Sequence, residues 1–129
     1  SRGLGDVYKR QPLNAACVTD EKWLLFVVEQ VLSNALKYTR EGSITITMEH
    51  PKTLVIRDTG IGIAPEDLPR IFEKGYTGYN GRGDQKASGL GLYLCRTICK
   101  RLGHTITASS VPDHGTAIRI TLEQRQVRE

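Results

Sequence analysis

Three short stretches of this chain hold residue types that fold alone does not demand. The first is Asp58-Thr59-Gly60-Ile61-Gly62-Ile63. Two closely spaced glycines let a backbone turn sharply and approach a flat ligand, and the aspartate before them can accept a hydrogen bond from an amino group. The second is Gln30, Asn34, Lys37 and Tyr38. At 100° per residue these fall within roughly a 100° sector of a helix, so amides, an ammonium and a phenol project together. The ordinary reading is a solvated face whose last-turn lysine complements the helix dipole. Asparagine is a mildly unfavourable helix residue, however, and its place there calls for a polar task. The third is Ser88-Gly89-Leu90-Gly91-Leu92, a glycine-rich loop running into a helix. Unpaired N–H groups at such a helix start attract an anion, and the missing side chains admit phosphate oxygens. It lacks the G-x-x-x-x-G-K-[ST] pattern and follows no strand, which excludes a P-loop and a dinucleotide fingerprint.

The elements that must position these residues follow from periodicity. Asp20 is a good N-cap, and Leu24, Val27, Val28, Val31, Ala35 and Leu36 recur at three and four, predicting an amphipathic helix over about 21–39. From Ser43 the period changes to two. Ile44, Ile46 and Met48, then Leu54 and Ile56 after His50-Pro51-Lys52, predict a hairpin with one buried face, and the same alternation turns Asp58 inward. Pro65, Glu66 and Asp67 open a short helix to about Phe72. The glycine-rich stretch 74–88 reads as a mobile loop. Ser88 is expected to cap a second helix, Gly89 to Leu102, closed by Gly103. Ile106 and Ala108, then Ile118, Ile120 and Leu122, form a second hairpin, and Ala15 to Val18 is a candidate short strand. Two or three helices against one mostly antiparallel sheet make a two-layer α/β sandwich of the α+β class.

The 129 residues suit one domain, placed at 12–123, between a disordered arm, linker remnant or cloning-derived scar over 1–11 and a tail over 124–129. With 39% hydrophobic and 25% charged residues, the composition excludes a disordered, collagenous or coiled-coil chain. The net charge is +4, of which the first eleven residues carry +2, and this excludes a strongly basic nucleic-acid binder. No apolar run approaches the ~20 residues that span a bilayer. Three cysteines, Cys17, Cys95 and Cys99, lack paired spacing and fit a reducing compartment. Cys95 and Cys99 with His104 form at most a metal half-site; the ordinary use of such thiols is helix packing. His50, His104 and His114 read as turn or surface residues.

Order and spacing tie the stretches together: NALKYT, then DTGIGI after one hairpin, then the glycine-rich loop, then GLGL opening a helix, then HGTAIRITL. With these boxes in register over about 13–123, the sequence closely resembles the catalytic ATP-binding domain of bacterial sensor histidine kinases, in the superfamily of gyrase B, MutL and the ninety-kilodalton heat-shock chaperones. DEKWLLFVVEQVLSNALKYT, IFEKGYTGYNGR and SGLGLYL look most like the short intramembrane-sensing kinases that respond to peptide antibiotics.

The resemblance implies the Bergerat ATP-binding fold, a mixed, mostly antiparallel sheet on about three helices, with a flexible ATP lid over Lys74 to Ala87. It further implies that Asn34 binds Mg²⁺, that Lys37 contacts a phosphate and that Tyr38 helps hold the nucleotide. Asp58 would accept from the adenine amine, with Gly60 and Gly62 admitting the purine and Ile63 and Leu90 as apolar walls. Thr116 would reach the Asp58 neighbourhood, Gly89 and Gly91 would donate N–H groups to phosphates, and Lys74 or Arg82 would contact the γ-phosphate. ATP-hydrolysing members resemble one another in a glutamate one turn before the asparagine; here Gln30 stands there, and an amide cannot act as a general base. Glu29 is rotated about 100° away.

The implied partners are ATP and ADP, a dimerisation domain carrying the phosphoacceptor histidine, which is absent from these residues, and through the full kinase a response regulator. The domain is expected to be a cytoplasmic monomer without membrane or nucleic-acid contact, its parent protein at the inner face of the cell membrane. An anti-sigma-type serine kinase, or a non-catalytic nucleotide-sensing module of the same superfamily, is the alternative.

Overall fold

The computed structural model describes residues 20–49, 52–77 and 89–122. Helix α1 (Glu21–Tyr38) begins where Asp20 Oδ1 accepts the N–H groups of Lys22 (3.1 Å) and Trp23 (3.4 Å). Its buried stripe is Leu24, Val27, Val28, Val31 and Ala35. Leu36 is not part of it. It lies about 100° round the helix from Ala35 and is 48% exposed.

Strands β1 (Ile44–Glu49) and β2 (Thr53–Asp58) pair antiparallel, with Ile46 opposite Ile56 and Ile44 opposite Asp58. Strands β3 (Thr105–Val111) and β4 (Gly115–Thr121) form the second hairpin, and β4 pairs with β2, giving the order β1-β2-β4-β3. Every pairing among the described residues is antiparallel. Leu54 and Ile56 of β2 register with Ile120 and Ile118 of β4, and both helices pack on this face, so one core joins the layers. A single buried face is too simple, however. Val55 and Ala117 point the other way and are also buried, because they sit on the two central strands of a face where Glu49 pairs with Arg57 and Arg119.

Helix α2 (Gly91–Leu102) starts two residues later than expected. Leu90, not Ser88, occupies its N-cap position, and no side chain caps it. Its end is as expected: Gly103 at φ 83° donates to Lys100 O, and His104 N–H reaches Cys99 O at 2.8 Å, the two bonds of a Schellman motif. That motif folds the chain back onto the helix. His104 is consequently only 2% exposed, against the expectation of a surface histidine, while His114 is exposed as expected.

The short helix after Pro65 is a single 3-10 turn, Leu68–Arg70. Pro69 has no N–H to extend an α-helical ladder, and Arg70, Ile71 and Glu73 donate three residues back instead. Ile71 and Phe72 then enter the core. The flanks 1–11 and 124–129, the possible strand 15–18, Cys17, His50, Arg82, Ser88 and most of the anticipated lid lie outside the described residues. No described helix is long and apolar enough to cross a membrane.

Candidate functional site

Asp58 is the last residue of β2, opposite Ile44 of β1 and Thr116 of β4. As strand parity requires, it lies on the core side and is 9% exposed. A buried carboxylate needs donors. Two backbone N–H groups supply them, from Gly60 at 2.8 Å and Thr116 at 3.2 Å, and both go to Oδ1. The second carboxylate oxygen is left for something else. Burial pushes the Asp58 carboxyl above its ordinary value, opposed by the Gly60 and Thr116 N–H groups and by the neighbouring Thr39 hydroxyl. Thr39 Oγ1 is itself buried and has no hydrogen-bond partner among the described residues.

The glycine loop after Asp58 is clamped on several sides. Ile61 N–H donates to Tyr38 O at 3.1 Å, which satisfies a carbonyl at the end of α1, while Ile61 O accepts from Asp113 N–H at 2.7 Å. Ile63 N–H donates to Ser110 Oγ, whose hydroxyl reaches Gly115 O, each at 2.8 Å. The two loop glycines serve this clamping. A Cβ on Gly60 would stand 2.1 Å from Tyr38 O, and one on Gly62, at φ +75°, would stand 2.4 Å from Val111 O. Gly60 thus lets the loop close on α1.

Between α1 and the ends of β2 and β4 runs a cleft lined by Asn34, Tyr38, Asp58, Gly62, Ile63 and Thr116, with apolar walls from Val31, Ala35, Ile56, Ile61, Ile71, Leu92 and Ile118. Six of the residues singled out from sequence therefore meet in one place. The apolar wall from α2 is Leu92, 6% exposed, whereas Leu90 is 38% exposed at the N-cap position. The helix start two residues later explains the exchange. Ile71 was invisible to sequence reasoning as a site residue because a buried isoleucine looks like any other core residue; only the fold brings it here.

The remaining candidates divide. Lys37 is exposed, its Nζ 6.0 Å from the centre of the Tyr38 ring, at the rim. Gly91 opens α2 beside Gln30, whose Oε1 lies 3.2 Å from where a Cβ on Gly91 would sit. The first turn of α2 has no side-chain cap and no acidic residue, so its free donors suit an anion. Gly89 O accepts from Gly75 N–H at 2.9 Å. Lys74 is not in the cleft; its Nζ lies 5.8 Å over the Tyr93 ring, beside a different groove. Cys95 and Cys99 are fully buried, with thiols pushed up by burial to about 12 and about 11, and no group of three or more metal-ligating side chains occurs among the described residues. They are packing residues.

The family described as histidine kinase-, DNA gyrase B-, and HSP90-like ATPase matches residues 19–126. Sensor histidine kinase YxdK of Bacillus subtilis (strain 168) is 40% identical over 108 residues, 80% of this chain and 33% of the relative. Sensor protein kinase GraS of Staphylococcus aureus (strain N315) is 40% identical over 105 residues, 79% of this chain and 30% of the relative. The chain thus spans about a third of the length of these curated relatives. Among solved structures, a mycobacterial sensor histidine kinase, MprB, superposes with a TM-score of 0.71 at 27% identity, covering 86% of this chain and 78% of that one. Full-length ShkA in complex with AMPPNP shares the fold, with a TM-score of 0.69 at 22% identity over 82% of this chain and 23% of that one. The chain belongs to the histidine kinase-, DNA gyrase B-, and HSP90-like ATPase family.

Proposed function

We propose that this domain binds Mg-ATP in the cleft between α1 and β2/β4 and presents the γ-phosphoryl to a histidine on a separate dimerisation domain of a longer protein. The observation that carries the adenine assignment is the arrangement at Asp58. With both backbone donors on Oδ1, the other oxygen accepts from the exocyclic amine of adenine, and guanine, which has a carbonyl there, is rejected. Ile63 and Leu92 enclose the base, and Tyr38 and Thr116 border it. Gly89 and Gly91 donate N–H groups to phosphates, and Lys37 at the rim adds positive charge, while a γ-phosphate contact from Arg82 belongs to the same reading.

Asn34 offers one neutral oxygen in the cleft, which fits Mg²⁺, an ion that takes few protein ligands and completes its shell with water and substrate phosphates. When bound, the ion supplies charge neutralisation at the phosphates. Phosphoryl transfer is served mainly by positioning and electrostatics. The bond between the γ-phosphorus and the β,γ-bridging oxygen breaks, an N–P bond forms on the acceptor imidazole, and ADP leaves. Gln30, next to Gly91, cannot take a proton from water, which favours transfer over hydrolysis. In the parent protein the phosphoryl group then passes to a response-regulator aspartate. In this reading the domain acts as a cytoplasmic monomer, and its parent protein sits at the inner face of the cell membrane, as the resemblance to peptide-antibiotic-responsive kinases implies.

The test mixes the chain with γ-labelled ATP, with and without a separately produced histidine-bearing dimerisation domain. Label on that domain, stable to base and lost in acid, is expected, with none on this chain alone. Acid-stable label would support a serine kinase. An unlabelled acceptor beside firm ATP binding would support a nucleotide-sensing module instead.

A further inference from the structure

A second groove, of about 520 Å³, lies between the segment Phe72–Lys74 and the outer face of α2. It is lined by the cations Lys74, Arg96, Lys100 and Arg101 and by the aromatic rings of Phe72 and Tyr93. The single acid there, Glu73, is already paired with Arg70 at 3.0 Å. Among the described residues none of the four cations takes part in an ion pair. Helix α2 itself carries Arg96, Lys100 and Arg101 and no acid. Lys100 and Arg101 have a structural reason to be there, because the last turn of a helix favours cations. Arg96 has none. It stands one turn before Lys100, where like charges at i and i+4 destabilise a helix, and Lys74 joins the cluster from another segment while its ammonium lies over Tyr93.

We propose that this groove is a docking site for an acidic segment of a partner protein, independent of the nucleotide cleft. Charge complementarity names the partner chemistry, and shape narrows it. From Tyr93 to Arg101 the helix rises about 12 Å, the length of about four residues of extended chain. Cations on the two walls of a concavity converge on a chain lying between them, whereas a flat lipid surface meets only the rim. The aromatic rings of Phe72 and Tyr93 in the lining accommodate the methylene stems of glutamate side chains beside the charges.

The experiment uses the full 129-residue chain and a fluorescein-labelled hexaglutamate peptide, read by anisotropy. Arg96→Glu is compared with Lys22→Glu, an equal charge reversal on α1 outside the groove. Saturable peptide binding is expected, weakened about tenfold or more by Arg96→Glu and less than about twofold by Lys22→Glu. ADP affinity should be unchanged in both variants, which shows that the fold and the nucleotide cleft survive. The proposal is overturned by absent binding, by equal losses in the two variants, or by phosphatidylglycerol vesicles or a single-stranded oligonucleotide binding more tightly than the peptide with the same dependence on Arg96.

Discussion

At the residue scale the account turns on Asp58. Strand parity alone places it on the core side, so its burial is legible in the sequence; the two donors on Oδ1 are not, because they come from a loop and from β4, one of them 58 residues away. They make the Asp58→Asn variant informative. The side-chain oxygen remains on the Gly60 and Thr116 N–H groups, and the amide nitrogen takes the place of the second carboxylate oxygen, where it faces the adenine amine donor to donor. The variant should fold and lose ADP affinity by about 10- to 100-fold, the cost of about 1–3 kcal/mol for an unmade buried hydrogen bond; isothermal calorimetry measures it. The pH dependence has two opposite signs. Because burial raises the Asp58 carboxyl above 3.8, its contribution to stability is fully present below 3.8 and is lost as pH rises through the folded-state value. Nucleotide binding needs the carboxylate and weakens as pH falls through that same value. Asp58→Asn removes the first dependence, visible as a flatter profile of unfolding midpoint against acid pH. Lys74 shows the limit of residue-level reading: a cation near a glycine-rich loop looks like a phosphate contact, but the direction of its side chain is set by Tyr93, 19 residues on.

At the element scale, periodicity located both described helices and the four described strands, although β2 and β4 bury residues on both faces. Boundaries were less legible. The expected helix after Pro65 shortens to one 3-10 turn at Pro69, and α2 starts at Gly91 with Leu90 at its N-cap position. The site depends on how ends meet. The loop after β2 closes on the end of α1 through the Ile61 to Tyr38 hydrogen bond, and only a glycine at position 60 permits it. Gly60→Ala should therefore lower stability by about 1–3 kcal/mol, as overpacking does, and weaken ADP binding along with it. Asp20→Ala is the contrasting case. Losing the α1 cap costs about 1 kcal/mol, a fall in the unfolding midpoint of about 4 °C. ADP affinity at a temperature where the variant is folded should not change, because the cap lies at the far end of α1 from Tyr38.

At the scale of the whole molecule, one core between two layers holds the cleft walls and the structural residues alike. Cys95 and Cys99 belong to that core, and burial holds their thiols near 12 and 11. Reaction of these two cysteines with a thiol reagent, followed by peptide mass mapping, should be slow in the native protein and should accelerate with denaturant in step with global unfolding. Addition of ADP should slow it further, since a ligand at a hundred times its dissociation constant adds about 2.7 kcal/mol of stability. The sequence could not show that Ile71 and Leu92 wall a site, because at this scale core and cleft share the same side chains. The most direct measurement is calorimetric titration of the 129-residue chain with ADP and with GDP, each with Mg²⁺. Preference for ADP by about a hundredfold or more is expected, since a site built to pair a donor rejects a base that presents an acceptor. Equal affinity for the two would contradict the assignment of Asp58 to the adenine amine and, with it, the placement of the nucleotide in this cleft.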